Sequence, residues 1–296
     1  TVKGCAGSPY AIRDYYDIDP DLAVSVPDRM TEFQDLVDRV HAAGMKFIMD
    51  FVPNHVARQY HSVKKPRGGK DLGQDDDVSM HFSPQNNFYY MPGQKLGGEV
   101  DWGNYKEYPA RATGNDQFTA TPSYSDWYET VKLNYGVDYT GGGRHCFDPI
   151  PDTWKKMLHI LLYWASKGVD AFRCDMAEMV PVDFWHWAVR QVKQSHPDIQ
   201  FIAEIYNPGS YSSYVDWGGF DYIYDKVGLY DTLRAVVESR ESATAITRCW
   251  QQNGQIGPNM LHFMENHDEQ RIASRFFGGN GQKGRPAMIV SALMDC

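Results

Sequence analysis

The chain predicts an α/β fold on a parallel sheet, and three observations carry that prediction. Apolar runs of strand length alternate with segments of helical periodicity. The polar residues of those runs cluster at their C-terminal ends. No glycine-rich phosphate loop follows any of them. Strand–helix alternation requires right-handed crossovers and a parallel sheet, which an open doubly wound sheet or a (β/α)8 barrel can supply. Polar groups at the C-terminal ends of several different strands are the mark of the barrel. The expectation is therefore a (β/α)8 TIM barrel.

In chain order, Thr31 with Gln34 three residues later signals a helix start. Phe33, Leu36, Val37 and Val40 follow at helical spacing, and Gly44 ends the helix. Residues 47–52 read as a buried strand carrying Asp50 near its end. A second helix presents Trp154, Met157, Leu158, Leu161, Leu162 and Ala165 and stops at Gly168, before a strand over 169–175. Pro181 opens a third, with Trp185, Ala188, Val189 and Val192 on one face, leading to a strand over 201–205. Residues 222–224 and 260–265 read as two further strands.

Residues 56–149 break the alternation. The stretch is rich in Gly, Asn, Asp and aromatics, among them Phe88-Tyr89-Tyr90, Trp102, Tyr105, Tyr108 and Trp127-Tyr128. A structureless loop of that length is improbable, so an inserted irregular domain is expected, dividing the chain into a barrel part at 1–55, the insertion at 56–149 and a barrel part at 150–296. Its aromatics either stack on sugar rings or fill a small core.

At 296 residues, 42% hydrophobic and 23% charged, the chain can bury a sizeable core. Its net charge of -9 argues against a nucleic-acid partner, which needs a basic face. No apolar run approaches the roughly 18 residues of a membrane span. Cys5, Cys146, Cys174, Cys249 and Cys296 show no C-x-x-C spacing, so neither a zinc site nor a redox motif is supported, and Cys174 reads as a buried free thiol.

Asn54-His55, Arg173 with Asp175, Glu204, and His267-Asp268 fall at the ends of four separate predicted strands. Glycosidic cleavage needs one carboxyl to protonate the leaving oxygen and another to attack or assist from the opposite face. Arg173 and Asp175 share one side of an extended strand, so the guanidinium can keep Asp175 ionised as a nucleophile. Glu204 follows Phe201-Ile202-Ala203, so an apolar setting is expected to raise its pKa, as an acid catalyst requires. Asp268 can stabilise an oxocarbenium-like transition state. Each residue alone has a bland alternative: a cap, a structural ion pair, a structural histidine. A metal site of Asp50, His55, His267 and Asp268 is conceivable, but no His-x-His or His-Glu-x-x-His spacing supports it.

The strings Asp50-Phe51-Val52-Pro53-Asn54-His55, Gly168-Val169-Asp170-Ala171-Phe172-Arg173-Cys174-Asp175, Phe201-Ile202-Ala203-Glu204 and Phe263-Met264-Glu265-Asn266-His267-Asp268 resemble the four motifs of the α-amylase family, glycoside hydrolase family 13. The resemblance implies that the strands are the third to seventh of the barrel, with 56–149 as the family's domain B. It implies Asp175 as nucleophile, Glu204 as acid/base and Asp268 as transition-state stabiliser in retaining endo-hydrolysis of α-1,4-glucans (starch, glycogen or maltodextrin). It further implies substrate contacts from Tyr10, His55, Arg173 and His267, no cofactor for the chemistry, a possible structural calcium at Asn54, and a secreted or periplasmic setting.

Two departures qualify it. Many members carry Lys-His three and four residues after the nucleophile, where this chain has Glu178-Met179; transglycosylation by maltosyl transfer or sucrose or trehalose chemistry is the alternative they keep open. The first strand, most of the second, the eighth and the usual C-terminal β-domain have no counterpart here, so a truncated barrel from a longer gene product is expected. A non-catalytic binding or partner subunit is a remote reading, because all three carboxylates are present.

Overall fold

The structure is a computed structural model and describes residues 7–294; the chain ends, with Cys5 and Cys296, lie outside the described residues. Five parallel strands form one sheet: β1 (Ile48–Phe51), β2 (Ala171–Cys174), β3 (Gln200–Ala203), β4 (Tyr222–Tyr224) and β5 (Met260–Leu261). Their spatial order is their chain order. Among the described residues the sheet is open, with β1 and β5 at its edges. Helices α1 (Arg29–Ala42), α2 (Asp152–Ala165) and α3 (Val182–Ser195) precede β1, β2 and β3. Helices α4 (Asp231–Val237) and α5 (Thr244–Asn253) link β4 to β5, and α6 (Gly281–Leu293) follows.

The helices form where apolar periodicity lets one face cover the sheet. α3 buries Phe184, Trp185, Ala188, Val189 and Val192, at three- and four-residue spacing. On α2 the buried stripe includes Ile160 and Trp164, while the expected Leu158 and Leu162 lie at its margin. α1 starts two residues before Thr31, and its expected core residue Leu36 is exposed; only Phe33 and Val37 are buried. Gly44 and Gly168 follow helices at φ +73° and +87°, left-handed conformations that stop a helix cheaply only with glycine.

The last strand is shorter than its sequence suggests. Pairing with β4 ends at Tyr224↔Leu261, because the chain after β4 winds into a helical turn at Lys226–Tyr230. Residues 262–268 then have no ladder to join and run as a loop, which frees His267 and Asp268 to face the cleft.

The insertion is irregular, as expected, and is held by three two-stranded ladders. Phe88 and Tyr90 point into the main core, whereas Tyr89 and Met91 enter a separate small core with Leu96, Ala110, Ala112 and Ala120. This two-residue alternation staples one segment to both cores. The Phe88-Tyr89-Tyr90 run is therefore core rather than sugar platform.

Where the insertion lacks regular pairing it relies on a buried ion cluster. Glu107 accepts from Arg58 Nη1 at 2.8 Å, from Arg111 Nη2 at 2.7 Å and from the Tyr105 hydroxyl at 2.7 Å. Burial works against the charged carboxylate, but Arg111 and Arg58 outweigh it and hold its pKa below the usual range. Removing one partner strands two buried guanidinium groups, so Glu107→Ala is expected to cost about 3–5 kcal/mol in urea unfolding. Because folding lowers this pKa, the contribution is complete above the ordinary Glu range and fades as pH falls through the folded value. A variant as stable as the parent at neutral pH would contradict this account.

Candidate active site

The C-terminal ends of the strands converge on an open cleft of about 640 Å3, lined by Tyr10, His55, Trp127, Tyr128, Asp175, Glu204, Tyr206, His267 and Asp268 among others. At its base lies Arg173, only 6% exposed. The sheet register sets Arg173 opposite Asp50 of β1, so the two side chains emerge on the same side. Arg173 Nη1 donates to Asp50 Oδ1 and Asp175 Oδ1, each at 3.0 Å. Nη2 lies 2.9 Å from Glu204 Oε1, and Nε donates to the Tyr224 hydroxyl at 3.2 Å. One guanidinium thus binds groups from four neighbouring strands. Burial opposes its charge, but Asp50, Glu204, Tyr224 and Asp175 together hold it more firmly protonated than a free arginine.

The two central carboxyls differ in their donors. Asp175 has one side-chain partner, Arg173. Burial first, then the neighbouring Glu204 carboxylate, push its pKa up to about 8 against the pull of Arg173. Glu204 is as buried but not apolar in its surroundings: the Met176 N–H donates to Oε2 at 2.8 Å and the Tyr206 hydroxyl to Oε1 at 2.6 Å. This corrects the expectation drawn from Phe201-Ile202-Ala203, whose apolar side chains pack away from the carboxyl. At Asp175, burial and Glu204 outweigh the Arg173 guanidinium that was expected to keep the carboxylate ionised. The buried Asp175 carboxyl therefore keeps its proton to higher pH than a free aspartate does.

Tyr10, His55, His267 and Asp268 line the same cleft. The Tyr10 hydroxyl contacts Asp50 Oδ2 at 3.1 Å and His267 Nε2 at 2.6 Å, with its ring stacked on His267. His267 lies 3.2 Å from Asp268 Oδ2, and Asn266 caps the turn that presents them by accepting from the Asp268 and Glu269 N–H groups. His55 is buried, and its pKa falls to about 3 through burial and then through Lys132, opposed by a hydrogen bond to the Tyr10 backbone. Asn54 Nδ2 faces His55 Nδ1 at 3.1 Å, so the neutral ring carries its hydrogen on Nε2.

Asn54 does not meet the expectation placed on it. Its carbonyl oxygen, the atom that would ligate calcium, accepts a hydrogen bond from the Lys132 ammonium. A cation already occupies that position, so the residues present do not fit the ion. The two departures at 178 and 179 are also internal commitments. Glu178 accepts from the backbone N–H groups of Tyr206 and Asn207 at 3.0 and 3.2 Å, and the Met179 carbonyl accepts from Lys132 at 3.1 Å.

Sequence reading missed Asp50 as a partner of Arg173, and it missed Tyr206, Tyr224 and Lys132. A charge inside the apolar run Phe47-Ile48-Met49-Asp50-Phe51 was a usable signal for the first. Tyr206, two residues beyond Glu204, shares its side of the extended chain. Nothing local marks Tyr224 or Lys132. Of the insertion's aromatics, Trp127 and Tyr128 reach the cleft, with Trp127 packed 5.3 Å from His55.

The family described as "Alpha amylase, catalytic domain" matches residues 6–295. Neopullulanase 2 of Thermoactinomyces vulgaris is 22% identical over 285 residues, which is 95% of this chain and 41% of that protein. A shorter stretch is 43% identical over 53 residues to an α-1,4-glucan:maltose-1-phosphate maltosyltransferase of Picrophilus torridus, covering 18% of this chain and 8% of that one. The chain therefore spans less than half the length of either curated relative. The crystal structure of an α-amylase from Lactobacillus plantarum superposes with a TM-score of 0.61 at 27% identity, over 92% of this chain and 53% of that one.

A carboxyl whose pKa rises on folding keeps its proton longer in the native state. Asp175 therefore costs stability progressively as pH climbs from the ordinary Asp range towards about 8. Asp175→Asn, with no proton to lose, is expected to gain Tm over the parent across that window. A parent–variant difference that stays flat between about pH 5 and about pH 8 would show that folding does not raise the Asp175 pKa.

Proposed function

The chain belongs to the α-amylase family, and from that premise we propose that it is a retaining glycosidase that cleaves α-1,4-glucosidic bonds within starch, glycogen or maltodextrin. The observation that carries this reading is the single Arg173 guanidinium bridging Asp175 and Glu204 at the base of the cleft. In this reading the five strands are the third to seventh of the barrel, and the insertion is domain B.

Asp175 attacks the anomeric carbon, and Glu204 protonates the departing glycosidic oxygen, giving a covalent glycosyl-enzyme; Glu204 then takes a proton from the water that releases it. Asp175 must be ionised at the moment of attack. Substrate binding therefore has to offset the burial that raises the Asp175 pKa, and the hydrogen bond from Tyr206 holds the Glu204 carboxyl in place. Asp268, beside His267 at the cleft mouth, stabilises the positive charge that develops on the sugar. His55 Nε2–H, His267 and the Tyr10 ring orient the ring being cleaved.

Transfer to a sugar acceptor instead of water is the second reading, favoured by the local match to a maltosyltransferase and by Glu178-Met179 being tied to internal bonds. Incubation with maltoheptaose, starch and pullulan separates the two: hydrolysis yields only shorter products, transfer also yields longer ones. Asp175→Asn and Glu204→Gln are each expected to lower kcat by about 1,000-fold or more with folding intact. The first product anomer seen by NMR should be α. A β-anomer, or hydrolysis retained in Asp175→Asn, would overturn the assignment.

A further inference from the structure

Lys132 is the least expected side chain in the insertion, because it is fully buried at 1% exposure. An ammonium offers three donors and no acceptor, and here three oxygens from three segments meet it. They are Asn54 Oδ1 after β1, the Met179 carbonyl after β2 at 3.1 Å, and Asp116 Oδ1 from the insertion at 2.7 Å. The Tyr139 ring lies 5.5 Å away on a further side. Asp116 adopts φ +61°, a left-handed conformation that Asp tolerates better than most residues. Burial lowers the basicity of Lys132, and Asp116 opposes that effect.

Carboxylate, amide and backbone carbonyl oxygens gathered from separate segments are the ligand set of a hard divalent cation. In this chain the set closes on a covalently attached cation instead. We propose that the Lys132 ammonium takes the place of a metal ion in fastening the insertion to the ends of β1 and β2. Folding and cleft geometry then need no calcium. The fastening also reaches the cleft. With its oxygen bound to Lys132, Asn54 must turn its amide nitrogen to Gly114 O, at 2.8 Å, and to His55 Nδ1. Through Asn54, Lys132 thereby sets the His55 tautomer.

Thermal unfolding of the protein in excess EDTA and in added calcium chloride tests this without reference to activity. The parent Tm is expected to be the same in both. Lys132→Met is expected to lower Tm by about 5 °C or more, having left Asp116 without its counter-charge. Should that variant fail to fold, Asp116→Asn, at a partly exposed position, decides the matter and is also expected to lower Tm. A parent Tm that falls in EDTA and returns with calcium overturns the proposal. So does an Asp116→Asn variant as stable as the parent.

Discussion

The arrangement depends on a charge that cannot be removed. A guanidinium keeps its proton under any condition a protein survives, and burying one costs several kcal/mol unless its donors are met. Arg173 is buried at the floor of the cleft, so the strand ends around it must supply acceptors. Asp50, Asp175, Glu204 and Tyr224 do so. The electrostatic demand of one side chain thus fixes the separation and aim of the two carboxyls on which the proposed bond cleavage turns. It also explains why two acids can lie so close: each repels the other, and both are attracted to the same cation.

The insertion solves a related problem by the same means. Its backbone is mostly irregular, so few ladders hold it, and buried cations take over that task. Glu107 gathers Arg58 and Arg111 within the insertion, and Lys132 joins it to the sheet. These bonds tie separate segments together, so they fix geometry as well as position. The path from Lys132 through Asn54 to His55 links a scaffold contact to the protonation state of a cleft residue.

The same economy bears on the departures at 178 and 179. Glu178 closes the turn after β3 by binding two backbone N–H groups, and Met179 contributes only its carbonyl. Neither offers a charged group to the leaving portion of a substrate. Trp127 and Tyr128 line the cleft with aromatic surface of the kind that suits a sugar ring.

The sequence by itself determined the alternation of strands and helices, the strand ends that bear Asp175 and Glu204, and the insertion's place, because periodicity and local order are properties of neighbouring residues. Its family membership was legible for the same reason: the four motifs are contiguous strings. Local signals erred where a long-range partner intervenes. The strand after α5 stops at Leu261 because β4 ends, and Glu204 is ringed by donors from Met176, Tyr206 and Arg173 that its apolar neighbours do not reveal. Only the tertiary structure decided that burial raises the Asp175 pKa, that Asp50 and Tyr224 bind Arg173, and that a lysine faces Asn54. Each of these depends on charges brought together from distant parts of the chain, where burial multiplies their effect and sequence separation conceals it.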